Sequence, residues 1–432
     1  MLIVHFCVII IGMNSNESKR ILIFSTAYFP HVGGAEIAVK EITDRLPKGD
    51  YVFDMITLRL SSEDSKSAKI GNINIWRIGT GIRFLLPLEK LFFPKLAFLK
   101  ALVLHKKNRY DKIWSIMASY SGFAALFFKI THPKIPFILT LQEGDSFEHI
   151  KKRVGVLWPV FKMIFKKADT VQAISNYLAN WAKEMGAKGK IEVVPNGVDV
   201  DRFKIKPART TDVVPRQNDS VGLESGGDLR LGDENTEKLR EKLGIKEDDT
   251  VLITTSRLVP KNGIGDIIEA LTYLSANVKF LILGSGQLER ELKFKVLELG
   301  LENRVSFLGF VSHEEMHRYL YISQIFVRPS LSEGFGNSFI EAMAAGVPVI
   351  AAPVGGVVDF LKDGETGLFC EPKNPKNIAQ KVEKLVKDKE SREYIIKNAL
   401  KMVAEKYDWE IIAEQMNSKV FATELDKQND GK

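Results

Sequence analysis

Short apolar runs punctuate the chain at wide intervals. Residues 20–25, 51–58, 73–78, 112–115, 137–141, 170–173 and 191–194 are rich in Ile, Leu, Val and Phe and read as buried strands. A second series follows at 250–255, 279–283, 305–311 and 325–327. The intervening stretches repeat their apolar residues at helical spacing. Strand alternating with helix predicts an α/β chain with parallel sheets covered by helices on both faces. A chain of 432 residues accommodates two such units. Between the two series, residues 204–236 are polar, poor in aromatics and rich in Gly, Ser, Asp and Pro, the composition of an inserted linker. The expected organisation is a first domain over 1–203, the linker over 204–236, a second domain over 237–407 and a terminal helix over 408–432.

Two segments depart from this alternation. Residues 82–107 mix Phe84, Leu85, Leu86, Leu88, Leu91, Phe92, Phe93 and Leu96 with Arg83, Lys90, Lys95, Lys100, Lys106 and Lys107. Pro87 and Pro94 are expected to break this stretch, which excludes one membrane-spanning helix. Residues 151–167 have the same character, with Trp158, Phe161 and Phe165 among basic residues. Each segment has two readings: an amphipathic surface lying in a membrane interface, or a helix packed on the core with solvated lysines.

Composition adds a little. Hydrophobic residues make up 45% and charged residues 27%, ordinary for a globular protein. The net charge of +7 is clustered with apolar residues rather than spread along a polar tail, which fits an anionic membrane surface better than nucleic acid. Cys7 and Cys370 have no metal-ligand spacing and imply no disulfide framework. Residues 1–13 are almost wholly apolar, lack a basic leader region and are shorter than the ~20 residues a spanning helix needs. The reading preferred for them is an early start, with Met13 as the initiator.

Candidate chemistry gathers at the ends of the predicted strands. Residues 329–348 read as loop, helix and stop, with Asn337 or Ser338 as the helix cap and Gly346 as the left-handed terminator. The free N–H groups at such a helix start form an anion site. Glu333 before it and Glu341 inside it are poorly placed for bare phosphate. They suit the hydroxyls of a ligand whose phosphates lie nearby, and a sugar nucleotide has that pattern. Arg257 and Lys261, four apart in a loop after a strand, suit a diphosphate: the guanidinium binds it bidentately, the ammonium as a point charge. Gly33-Gly34 follows the first strand and allows close approach of a ligand to backbone. The G-x-G-x-x-G fingerprint is absent there, against ordinary NAD binding. Gly284-Ser-Gly286 ends another strand, and Asn196-Gly197 is a turn signal.

The E-x7-E pair Glu333 and Glu341, with Gly334-Phe335-Gly336 and Glu341-Ala-Met-Ala-Ala-Gly-Val-Pro348, resembles the group-1 (family 4) retaining glycosyltransferases. The resemblance implies the GT-B fold: two Rossmann-like domains facing each other across a cleft that holds the site. It implies an acceptor-binding first domain, a nucleotide-sugar-binding second domain and a last helix crossing back to the first. In that family the Arg257 and Lys261 pair grips the leaving nucleotide's phosphates, and Gly33 and Gly34 lie over the donor diphosphate. Gly284 and Gly286 border the nucleotide, and Phe310 and Val311 meet its base edge. Gly334, Phe335, Gly336, Asn337, Ser338 and Glu341 complete the donor site, with Glu333 counted among the catalytic residues. Gln142 and Glu143 stand where many members carry a histidine against the transferred sugar; they and Asn196 are the possible sugar or acceptor contacts.

The implied reaction moves a sugar from a nucleoside-diphosphate sugar to an acceptor hydroxyl, with retention and without metal or other cofactor. The acceptor is a sugar or lipid-linked sugar of cell-envelope polysaccharide or glycolipid synthesis. The implied place is the cytoplasm, on the inner face of the membrane. The competing readings are another GT-B enzyme, such as a sugar-nucleotide epimerase, and a catalytically degenerate binding protein.

Overall fold

The apolar runs assemble into two sheets, seen in a computed structural model that describes residues 18–203 and 234–422. The readings placed on residues 1–13 and on most of 204–236 fall outside the described residues. In the first sheet, β1 (Lys19–Phe24), β2 (Tyr51–Leu58), β3 (Ser67–Ile70), β4 (Ile73–Ile78), β5 (Lys112–Ile116), β6 (Phe137–Leu141), β7 (Thr170–Ala173) and β8 (Lys190–Val193) are ordered 3-4-2-1-5-6-7-8. All neighbours are parallel except β3 with β4. In the second, β9 (Thr250–Thr255), β10 (Val278–Leu283), β11 (Val305–Gly309), β12 (Ile325–Arg328), β13 (Val349–Ala351) and β14 (Leu368–Phe369) are ordered 11-10-9-12-13-14, all parallel.

Burial follows the pleat. Along β1, Leu22 and Phe24 enter one core with Phe93 and Ala97, while Ile21 and Ile23 enter the opposite one with Met55 and Trp114. The second core also receives Trp409, Ile412, Met416 and Phe421, so the last helical segment of the described chain lies on the first sheet. Phe421 meets Trp114 edge-on at 5.1 Å, and the Tyr51 hydroxyl donates to Asn417 Oδ1 at 2.7 Å.

Several local readings need correction. The edge strand β3, Ser-Ala-Lys-Ile, is too polar to stand out in the sequence and pairs only with β4. The helix expected from residue 237 begins at Glu234, inside the stretch assigned to the linker. The break expected between residues 82 and 107 does not occur: Leu86–Asn108 is one helix. Pro87 lies in the first turn, where a missing N–H costs nothing, and the buried Pro94 is carried inside the helix. No helix among the described residues is long and apolar enough to cross a membrane. The second basic segment is interrupted. Phe147–Val154 ends at Gly155 with φ 57°, a single tight turn spans Gly155–Leu157, and Trp158–Lys167 follows.

Candidate active site

The carboxyl ends of both sheets open on one cleft, the place where parallel α/β sheets bind ligands. A cavity of about 720 Å³ lies there, lined from both domains. The first domain contributes Gly33 and Gly34 after β1, Gln142–Asp145 after β6, and Asn196. The second contributes Arg257 and Lys261 after β9, Gly284 after β10, Phe310 and Val311 after β11, and Glu333–Ser338 with Glu341 after β12. Gly286 does not line it, and Ser285 takes that place. A Cβ at Gly286 would collide with the Leu258 carbonyl, so this glycine serves the packing of two loops.

The helix Asn337–Ala344 presents its start to the cleft. Its cap is Gly336, with φ 99° and no side-chain cap bond, rather than Asn337 or Ser338. A Cβ at Gly336 would run into the Phe339 ring, so only glycine fits. The Asn337 and Ser338 side chains are otherwise engaged. Asn337 Oδ1 accepts from Asn196 Nδ2 at 3.0 Å, and Ser338 Oγ accepts from Arg328 Nη1 at 2.6 Å. The first-turn amides are therefore left without a side-chain cap.

Arg328 is the residue that sequence reasoning missed. It ends the apolar strand β12 and is only 5% exposed. Its Nη2 pairs with Glu333 Oε1 at 3.0 Å, its Nη1 donates to the Thr255 carbonyl at 3.2 Å, and the guanidinium lies over the Phe339 ring at 4.1 Å. Ser330 Oγ donates to the same Glu333 oxygen at 3.0 Å. Glu333 is thus fixed in direction through Oε1. An arginine closing a strand of otherwise apolar residues was the available signal.

Glu341 is buried at 7% exposure, and its Oε1 accepts from His313 Nε2 at 3.0 Å. Arg257 is exposed on its loop, which the Asn262 side chain ties by donating to the Arg257 carbonyl at 2.7 Å. Lys261 is less free than a loop lysine. Its ammonium donates to the Gly144 carbonyl of the other domain and pairs with Asp145 Oδ1 at 3.3 Å. Burial opposes ionisation of Asp145, but Lys261 together with Arg153 and His149 outweighs it and holds the carboxyl below the usual range.

On the facing side, Gln142 and Asn196 exchange amide hydrogen bonds at 3.2 and 3.0 Å. Glu143 is buried at 5% exposure; its Oε1 accepts from the Ala118 N–H at 2.6 Å, and its Oε2 has no hydrogen-bond partner among the described residues. Burial pushes this carboxyl up to about 7. A Cβ on Gly34 would stand 3.1 Å from Asn337 Nδ2, so the Gly33-Gly34 loop and the helix start face each other closely.

Two facing parallel-sheet domains with a cleft of this make-up define the GT-B class of glycosyltransferase. The same fold occurs in the crystal structure of Anabaena HepE in complex with UDP-glucose, which superposes with a TM-score of 0.72 at 21% identity, covering 94% of this chain and 100% of that one. Family models divide the chain between them: "Glycosyltransferase Family 4" matches residues 32–202 and "Glycosyl transferases group 1" matches residues 235–402. The chain belongs to the group-1, family 4 glycosyltransferases.

Two uncharacterized glycosyltransferases of Methanocaldococcus jannaschii are among its relatives. One is 36% identical over 44% of this chain and 49% of its own length, about half of that relative. The other is 26% identical over 90% of this chain and 94% of its own length. Lipopolysaccharide 1,2-N-acetylglucosaminetransferase of Salmonella typhimurium is 28% identical over 57% of this chain and 60% of its own length.

Proposed function

We propose that the protein is a retaining glycosyltransferase that moves a sugar from a nucleoside-diphosphate sugar to an acceptor hydroxyl, without metal or other cofactor. One observation carries this reading: Arg257, Lys261, Glu333, Glu341 and an uncapped helix start converge on one cleft. The diphosphate lies against the amides of Asn337 and Ser338 and between the two cations, which stabilise the charge that grows on the leaving group. Glu341 accepts from the nucleoside's hydroxyls, and Glu333 from those of the sugar. Gly33 and Gly34 cover the diphosphate from the acceptor side, with Gln142, Glu143 and Asn196 nearest to the acceptor and the transferred sugar. On a front-face path the leaving phosphate oxygen takes the acceptor's proton, so no separate base is required. A donor gives Lys261 a stronger partner than the Gly144 carbonyl.

The domain reading accompanies this one: acceptor in the first domain, donor in the second, with the terminal helix joining them. The acceptor is a sugar or lipid-linked sugar of envelope polysaccharide or glycolipid synthesis, a reading that the lipopolysaccharide relative supports. Sugar nucleotides are available on the cytoplasmic side, and the enzyme works there against an anionic membrane surface. Incubation with a panel of sugar nucleotides, followed for nucleotide release with and without candidate acceptors, tests the proposal. Acceptor-dependent release supports it. Interconversion of donors without release would mark an epimerase, and binding without turnover a degenerate site.

A further inference from the structure

The carboxylate of Glu341 is held by a chain of side chains that reaches across the domain boundary. Arg202 lies in the last helical turn of the first domain, Val200–Phe203. Its Nη1 stands 3.0 Å from His313 Nδ1, and His313 Nε2 stands 3.0 Å from Glu341 Oε1. A guanidinium has only donors to offer, so Nδ1 must accept. The imidazole proton then sits on Nε2, where it donates to Glu341, and the tautomer is fixed by Arg202. Arg202 is itself anchored. Its backbone N–H donates to Asp199 Oδ1 at 3.0 Å, its Nη2 lies 3.6 Å from Asp199 Oδ2, and its carbonyl accepts from the Tyr321 hydroxyl at 3.1 Å. Phe203 places its ring edge-on to His313 at 6.1 Å. No other side-chain hydrogen bond to the Glu341 carboxylate is present among the described residues, and both Glu341 and His313 line the cleft.

We propose that His313, oriented by Arg202 from the first domain, is a positioning residue that aims the Glu341 carboxylate at the hydroxyls of the donor's nucleoside. The inference rests on the donor reading of Glu341 given above. One carboxylate oxygen is spent on His313, which leaves Oε2 as a directed acceptor. Without His313 the carboxylate is buried and unpaired, free to rotate away from the nucleoside. The arrangement also makes nucleoside recognition depend on docking of the first domain's last turn against the second.

The test is binding of UDP and GDP and of their 2′-deoxy forms, by calorimetry, to wild type and variants. Wild type binds the ribonucleotide of its preferred base more tightly than the deoxy form, and Glu341→Gln loses that preference. His313→Ala should reduce the preference roughly tenfold, the scale of one hydrogen bond to a charged group. Arg202→Ala should act in the same direction, and His313→Ala combined with Glu341→Gln should be no worse than Glu341→Gln alone. His313→Gln, which can both donate to Glu341 and accept from Arg202, should restore much of the preference. Thermal melting of each variant separates this effect from loss of fold. Full ribose preference in folded His313→Ala, beside its loss in Glu341→Gln, overturns the proposal. Absence of ribose preference in wild type, or its survival in Glu341→Gln, overturns the donor reading of Glu341 and this inference with it.

Discussion

At the scale of single residues, the charged groups of the cleft differ in how far each is committed to the protein. Arg257 is exposed and its side chain is uninvolved in the core, so Arg257→Ala should leave the melting temperature unchanged. It should raise the barrier by about 2–4 kcal/mol, the range for losing a charge-stabilising donor. Lys261→Ala should lose a similar amount, and because Lys261 ties the domains through Gly144 and Asp145 it should also raise the donor KM. Wild-type kcat/KM in either variant, measured with the identified donor, would contradict the assignment. Glu143 carries a pH signature. Its value rises on folding from 4.5 to about 7 because burial disfavours the charge. The group therefore adds stability that is complete below the unfolded value and is lost as pH rises through about 7. The loss at higher pH is roughly 3 kcal/mol from a shift of this size. Glu143→Gln, neutral at every pH, should melt higher than wild type at pH 9 and close to it at pH 4; equal melting curves at both would refute this.

Among the elements, the Leu86–Asn108 helix carries features of both readings of its sequence. Phe93, Ala97, Ala101 and Leu104 form its buried stripe. Leu88, Leu91, Phe92, Leu96, Leu99 and Val103 are exposed, Val103 at 65%, so the helix is apolar on its outer face as well. Phe84, at 79%, extends that surface at its start, and Val156, Leu157, Val160 and Met163 expose further apolar area around the Trp158–Lys167 helix. Both helices pack on the helix Tyr120–Thr131, and exposed lysines flank both. This arrangement supports attachment to an anionic membrane, with each nearby lysine contributing about 1 kcal/mol. Sedimentation with anionic vesicles at low salt should carry the protein down, less so with neutral vesicles or at high salt. Changing Lys90, Lys95 and Lys107 together to Glu should leave it in the supernatant. Lys100 is a poorer choice because its ammonium lies over the Trp76 ring at 4.4 Å and its reversal would disturb packing. Wild type remaining in solution with anionic vesicles at low salt would end this reading.

For the whole molecule, the cleft is a junction rather than a gap. Lys261 with Gly144 and Asp145, Asn196 with Asn337, and Arg202 with His313 all cross it, and the Asn176 N–H donates to Asp359 Oδ2 at 2.7 Å nearby. Lys261 and Asn337, two of the residues proposed to hold the donor, are thus also among those that join the domains, so donor binding and domain docking share these contacts. Because Arg257, Lys261 and the helix start together face the position proposed for the diphosphate, turnover should persist in excess chelator. Activity abolished by chelator and restored by magnesium or manganese would contradict this.

The order of strands and helices was legible because hydrophobic periodicity is a local property: each buried strand carries its own apolar run. The E-x7-E spacing, the Arg257 and Lys261 pair and the glycines at strand ends were legible for the same reason. Each is set by a few neighbouring residues, and strand ends gather at one edge of a parallel sheet. The polar strand β3 escaped notice because it has no buried face to leave a pattern. The helix that tolerates Pro94 escaped because packing outweighed the lost hydrogen bond. Tertiary structure alone decided which distant side chains meet: Arg328 with Glu333, His313 with Glu341, Arg202 with His313. It alone placed Gly286 outside the cleft and divided the apolar residues after Pro87 between a buried stripe at Phe93, Ala97, Ala101 and Leu104 and an exposed face at Leu88, Leu91, Phe92, Leu96, Leu99 and Val103. A sequence records what each residue prefers to contact, and only the folded chain fixes which partners arrive and which side of a helix is left uncovered.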